Sequence, residues 1–316
     1  MEVALWVWPA FIGLVALLLA LDLLIFQRDA REVTLTEAFV WSVVWTIIGV
    51  GFVSVVWAAW GGDAAGEYLA GYVIERSLSV DNIFVFALIF SYFSVPPAYQ
   101  PRVLIWGVVG AILFRGIFIG LGAGLLETVH ASIYVFGAFL VFTGVRMAAG
   151  QEMEVNPQEN IALRLMRRLV PVTSDYHGVR LLVRQSGVLM ATPLLAVGVV
   201  IATTDVVFAV DSIPAIFAVT EEPFIVFSSN AMAVLGMRVL YFMLAGAMHR
   251  FIYLKHGLAL VLVFVGVKML TSEVYELRIA VSLGIIAAVI ALSIGFSLFA
   301  TRNAEPESLE RTGHQD

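Results

Sequence analysis

Nine stretches of this chain are too apolar and too long to belong to loops. They run approximately over Ala4–Phe26, Phe39–Trp60, Glu67–Phe93, Val103–Leu125, Ile133–Met147, Leu194–Val219, Val226–Met248, Gly257–Leu270 and Ile279–Leu298. A bilayer core asks for roughly 20 apolar residues per helix. Lipid offers no partner to a backbone amide, so such runs are predicted to be helices rather than open strands. The expected fold is therefore an all-α polytopic membrane protein with about nine transmembrane helices. Composition agrees: 61% of the 316 residues are hydrophobic and 13% charged, about half the charged share of a soluble domain. The first run is long enough to stay as a span instead of being cleaved as a signal.

Basic residues set the orientation. With the N-terminus outside, the loops that fall inside carry Arg28 and Arg31, Arg102, Arg164 through Arg184, and Arg250 with Lys255. The tail with Arg302 and Arg311 is also inside, and the outer loops hold only Arg278. Positive-inside bias then gives N-out and C-in, which suits a bacterial cytoplasmic (inner) membrane. Trp6, Trp8, Trp57 and Trp60 read as interfacial anchors. The sizeable loop, 150–187, contains a mixed apolar and basic stretch from Ala162 to Leu169. That stretch is either a helix lying on the membrane surface or a solvated linker. The net charge is −6, and no basic patch suggests nucleic acid. The chain has no cysteine, so disulfides and thiolate metal sites are excluded.

A repeat organises the middle of the chain. The segment from Asp81 to Val95 aligns with that from Asp205 to Val219, matching Phe84 with Phe208 and Phe93 with Phe217. One span later Arg115 aligns with Arg238, and one span further Gly144-Val-Arg-Met147 aligns with Gly266-Val-Lys-Met269. Three spans per unit is odd, so the second copy enters from the opposite side. The expected layout is two N-terminal helices (1–60), a first three-helix repeat (61–149), the loop (150–187), a second repeat (188–270), and a last helix with its tail (271–316). A three-plus-three inverted repeat of this kind builds many secondary transporters, with the site near the midplane at the repeat interface.

Charge within the runs marks the site. A carboxylate at the bilayer centre costs about 2.5–3.5 kcal/mol on insertion scales. The candidate ligands are Glu75, Asp81, Asn82, Asp205 and Asp211, with Ser79, Thr204 and Ser212 as auxiliary oxygens. Glu75 and Ser79, four apart, share a helix face, whereas Asp81 lies about 9 Å further along and about 120° around. Pro214, three residues after Asp211, is expected to kink its helix and free carbonyls beside the carboxylates. All these donors are hard oxygens, suited to Mn²⁺, Mg²⁺ or Ca²⁺. Arg115, Arg238 and Lys268 are expected to be counter-charges that hold the carboxylates or replace the ion when it leaves. The plainer alternative is that Asp81 or Asp205 pairs with Arg115 or Arg238 to fix helix packing. Asp22 is ambiguous, since it lies near the basic loop at Arg28. The repeat is also incomplete: Glu75 aligns with Val199 and Asp211 with Ala87, so each copy adds a different second acid.

Five motifs carry a family resemblance. They are ERSLSVDN from Glu75 to Asn82, TDVVFAVDSIPA from Thr204 to Ala215, SNAMAVLGMRVLY from Ser229 to Tyr241, YLKHGLA from Tyr253, and VGVKM from Val265 to Met269. Together they resemble the TerC family of bacterial membrane proteins over about Leu21 to Leu270, most closely its nine-span Alx type. The resemblance implies manganese export and relief of manganese excess. It also implies a link to tellurite resistance, which a chain without thiols would exert indirectly. Some relatives in that family are connected instead with membrane-protein insertion or with metalation of exported enzymes. The expectation is a non-enzymatic Mn²⁺ exporter working by alternating access in the lipid bilayer, with room for a homo-oligomer and no cofactor. The rival is a non-transporting scaffold or insertion factor for other membrane proteins.

Overall fold

The computed structural model describes residues 3–26, 33–128, 132–150, 160–185, 187–244, 253–271 and 279–312. It is mainly helical. The helices are α1 (Val7–Phe26), α2 (Leu35–Trp60), α3 (Gly62–Tyr92), α4 (Gln100–Thr128), α5 (Ser132–Ala148), α6 (Ile161–Leu169), α7 (Pro193–Phe217), α8 (Pro223–Leu235), α9 (Met237–Leu244), α10 (Leu254–Leu270) and α11 (Ile279–Thr312). Strands β1 (Leu182–Gln185) and β2 (Val188–Ala191) form an antiparallel hairpin just before α7.

Local signals explain several boundaries. Thr34 and Glu37 close a reciprocal capping box at the start of α2, satisfying amides that would otherwise lack partners. Gly61, at φ +89°, lets α2 turn directly into α3 through a backbone region that side-chain-bearing residues rarely enter. Prolines open α7 and α8, where a missing amide costs nothing.

The chain is an integral membrane protein by its apolar lengths. Among the described residues, five helices are long and apolar enough to cross a membrane: α1, α2, α4, α7 and α11. The α8–α9 pair, bent by 41° at Gly236, makes a sixth if counted as one span. Three of the nine expected runs differ for physical reasons. α3 is long enough but carries Asp63, Glu67, Glu75, Arg76 and Asp81. α5 and α10 have 17 residues each, about 25 Å of helix, less than the roughly 30 Å hydrocarbon core. α7 continues through Pro214 to Phe217, and the α8–α9 pair is bent at Gly236.

Packing brings the two halves of the chain together. α3 packs on α7 and α8, α4 packs along α7, and α5 packs along α10. At the α5–α10 crossing the backbones touch. A Cβ on Gly137 would lie 3.0 Å from the Gly266 carbonyl, one on Gly266 2.7 Å from the Gly137 carbonyl, and one on Gly144 2.8 Å from the Ala259 carbonyl. Small residues permit such close approach in membrane helices. At one end of the bundle, Trp8 and Phe11 meet Phe224 edge to face and Trp60 packs on it at a tilt, tying α1 and α2 to α8. Trp6 and Trp57 stay exposed, as anchors at an interface would.

Candidate functional site: a buried ionic cluster between α3, α4, α7 and α8

Each residue of the cluster comes from a different helix at about half its length. Glu75 is on α3, Arg115 on α4, Asp205 on α7 and Asn230 on α8. All four are fully buried. Arg115 sits between the two acids. Its Nε and Nη2 donate to both oxygens of Asp205, at 2.7 and 3.1 Å, and its Nη1 donates to Glu75 Oε1 at 2.5 Å. This two-pronged grip on Asp205 is the geometry a planar guanidinium favours. Glu75 is further held by the Ser79 hydroxyl at 3.1 Å and the Asn230 amide at 3.0 Å. Ser212 Oγ lies 3.4 Å from Arg115 Nη1.

The helical period explains the gathering. Glu75, Ser79 and Asn82 stand at i, i+4 and i+7 on α3; Asp205 and Ser212 stand at i and i+7 on α7. Each set forms one stripe on its helix. Asn82 and Ser212 are buried. Thr204 is buried as well, and its hydroxyl has no hydrogen-bond partner among the described residues. Asp81 and Asp211 immediately precede Asn82 and Ser212 on the same helices, about 100° around; their side chains lie outside the described residues.

The expected counter-charges serve different places. Arg115 joins Glu75 and Asp205. Arg238, on α9, pairs instead with Asp22 of α1, both side chains buried. Asp22 therefore belongs to a buried pair; Arg28 lies outside the described residues. Lys268 lies in the last turn of α10, and the Glu67 carboxylate of α3 accepts from the Thr220 hydroxyl at 2.6 Å. Among the described residues, no three acids or histidines are grouped to hold a metal. The described cluster has two carboxylates.

Asn230 is the functional neighbour that the candidate list omits. Its signal was present: a polar Ser229-Asn230 pair inside an apolar helix, where an amide needs a partner. Arg76 is another. Its Nη1 donates to the Ala233 carbonyl at 3.0 Å, satisfying a carbonyl freed at the end of α8.

Apolar helices of membrane-spanning length enclosing buried opposite charges at half-depth define a polytopic membrane protein with an intramembrane ionic site. Residues 60–305 match the family model described as integral membrane protein TerC family, and the chain belongs to that family. It is 46% identical over 297 residues to "Uncharacterized membrane protein STKORF319" of Myxococcus xanthus, covering 94% of this chain and 93% of the relative. It is 45% identical to "Putative membrane-bound redox modulator Alx" of Escherichia coli K12, covering 90% and 92%. It is 42% identical to "Thylakoid membrane protein TERC, chloroplastic" of Arabidopsis thaliana, covering 76% of this chain and 62% of that one. No solved structure matches the chain. The family match begins at residue 60, so α1, the source of Asp22, lies outside it.

Proposed function

We propose that this protein exports a hard divalent cation, Mn²⁺ above others, through the Glu75–Arg115–Asp205 cluster. One observation carries the reading: two buried carboxylates at half-depth share a single guanidinium. Two negative charges against one positive charge leave a net negative site where bare charge is costly. Asp81 and Asp211, one residue from the stripes and about 9 Å along their helices from Glu75 and Asp205, are further acids on the same two helices. A dication approaching these oxygens competes with Arg115 for the carboxylates, and the guanidinium takes them back when the ion departs. Protons compete for the same oxygens and could drive the return step. The chain's own donors are carboxylate, amide and hydroxyl oxygens, which suit Mn²⁺ over softer ions.

Packing supports the inverted repeat on which alternating access depends. Exchanging α3 with α7, α4 with α8–α9 and α5 with α10 turns the α3–α8 contact into the α7–α4 contact and maps α5–α10 onto itself. The glycine contacts obey the same exchange: adding 122 takes Gly137 to Ala259 and Gly144 to Gly266. In this reading nine helices lie in an inner membrane, with the N-terminus outside, and the short α5 and α10 complete the bundle as spans. The protein acts without enzyme chemistry or cofactor.

A scaffold or insertion role is the second reading, favoured by how fully Glu75 is saturated by Arg115, Ser79 and Asn230. The redox modulation in the names of the bacterial relatives cannot run through thiols here, because the chain has none. The test is purified protein in liposomes loaded with a Mn²⁺-responsive dye. Wild type is expected to move Mn²⁺, and Glu75→Gln and Asp205→Asn to lose the flux while remaining folded. A scaffold moves no metal in either form.

A further inference from the structure

We propose that α6 and the turn after it form a binding element for anionic phospholipid, in the leaflet at the Pro193 end of α7. α6 packs against α7. Its N-cap Asn160 donates from Nδ2 to Thr203 Oγ1 at 2.9 Å, whereas the chain just past its C-terminus pairs with the start of α7, where Ala191 N donates to the Pro171 carbonyl at 2.8 Å. From Pro193 to Thr203 is about 15 Å of helix, and α6 itself is about 14 Å long. α6 thus runs antiparallel to the first half of α7 and dips into the membrane instead of lying flat upon it.

Its three faces separate cleanly at 100° per residue. Leu163 and Met166 turn inwards onto the protein core. Ile161, Leu165 and Leu169, at i, i+4 and i+8, form a second stripe that is 79, 55 and 74% exposed. Arg164, Arg167 and Arg168 form a third face, exposed and without an ion pair among the described residues. An apolar stripe beside an arginine face at the end of a membrane helix suits acyl chains on one side and headgroup phosphates on the other. Arginine is the side chain whose fork best fits a phosphate. The charge is concentrated here against the trend of the chain: residues 160–191 hold five arginines and one aspartate, whereas the whole chain carries −6. The inference needs no transport activity and stands apart from the ion site.

The absence of cysteine makes the test clean. Full-length protein with Leu165→Cys takes one environment-sensitive fluorophore and is reconstituted into phosphatidylcholine vesicles. Brominated phosphatidylglycerol or brominated phosphatidylcholine is then titrated in over the same range of mole fraction. Phosphatidylglycerol is expected to quench at roughly threefold lower mole fraction or better. Adding Arg164→Gln, Arg167→Gln and Arg168→Gln should erase the preference while phosphatidylcholine still quenches. Equal quenching by the two lipids in the Leu165→Cys protein alone overturns the proposal, whether or not the triple variant folds. So does quenching by neither lipid, which would mean that water, another protein or a second copy covers this face. Loss of the preference on adding millimolar glycerol phosphate would assign the arginines to a soluble anion and equally overturn it.

Discussion

Arg115 is the residue on which the cluster turns, because it neutralises two acids from two halves of the chain. Arg115→Ala should cost about 3–5 kcal/mol, the usual penalty for leaving buried charge without its partner. Thermal unfolding in detergent measures that loss, and Arg115→Ala combined with Glu75→Gln and Asp205→Asn should recover much of it. Thr204→Val makes the opposite prediction. It removes a buried hydroxyl without a partner, so stability should rise by about 1 kcal/mol, while Mn²⁺ flux falls if that oxygen serves the ion. At this scale the sequence was readable where residues announce themselves by cost. Charges in apolar runs picked out Glu75, Asp205 and Arg115, and the packing alternative of an Asp205–Arg115 pair is what the geometry contains. The partner of Arg238 was not readable. The repeat equates Arg238 with Arg115, but its acid comes from α1, which belongs to neither copy.

Elements were readable where pattern and length agree, and less so where the chain bends. Pro214 suggested a kink in α7; its ring bears on the turn before it, at the Val210 carbonyl, and the helix runs on through it to Phe217. The discontinuity at Gly236 gives no comparable signal, since glycine is common in membrane helices. Its tolerance is narrow: a Cβ there would lie 2.5 Å from Arg76 Nη1 and 3.1 Å from Trp45 Cβ. Gly236→Val should therefore cost about 1–3 kcal/mol through overpacking, seen as a lower detergent melting temperature. Arg76→Ala should ease that crowding but leave the Ala233 carbonyl unpaired. The two changes combined are therefore expected to be non-additive in the same measurement. The loop stretch from Ala162 to Leu169 was foreseen as either helix or linker. A period that puts Leu163 and Met166 on one side made a helix readable; its descent along α7 depends on Asn160 finding Thr203, a contact no local pattern encodes.

At the scale of the whole molecule, the proposed inverted repeat predicts which ends share a side. Asp63→Cys at the start of α3 and Glu221→Cys just after α7 should both react with a membrane-impermeant thiol reagent added outside intact cells. Ser94→Cys after α3 and Val188→Cys before α7 should react only once the membrane is opened. Outside labelling at both ends of α3 would sink the arrangement. The count of spans was the least secure global feature to read, because hydropathy measures each run alone. α3 is polar because it carries the site, and α5 and α10 are short because each has the other to lean on.

That mutual dependence shapes how the protein is made. The glycine face of α5 meets its partner on α10 on the order of a hundred residues later in translation. Until α10 leaves the ribosome, the glycine face of α5 lacks the partner for its close backbone contact, and that part of the bundle forms only once the second half is made. Synthesis halted between the halves would leave the glycine face of α5 without the α10 backbone it packs against.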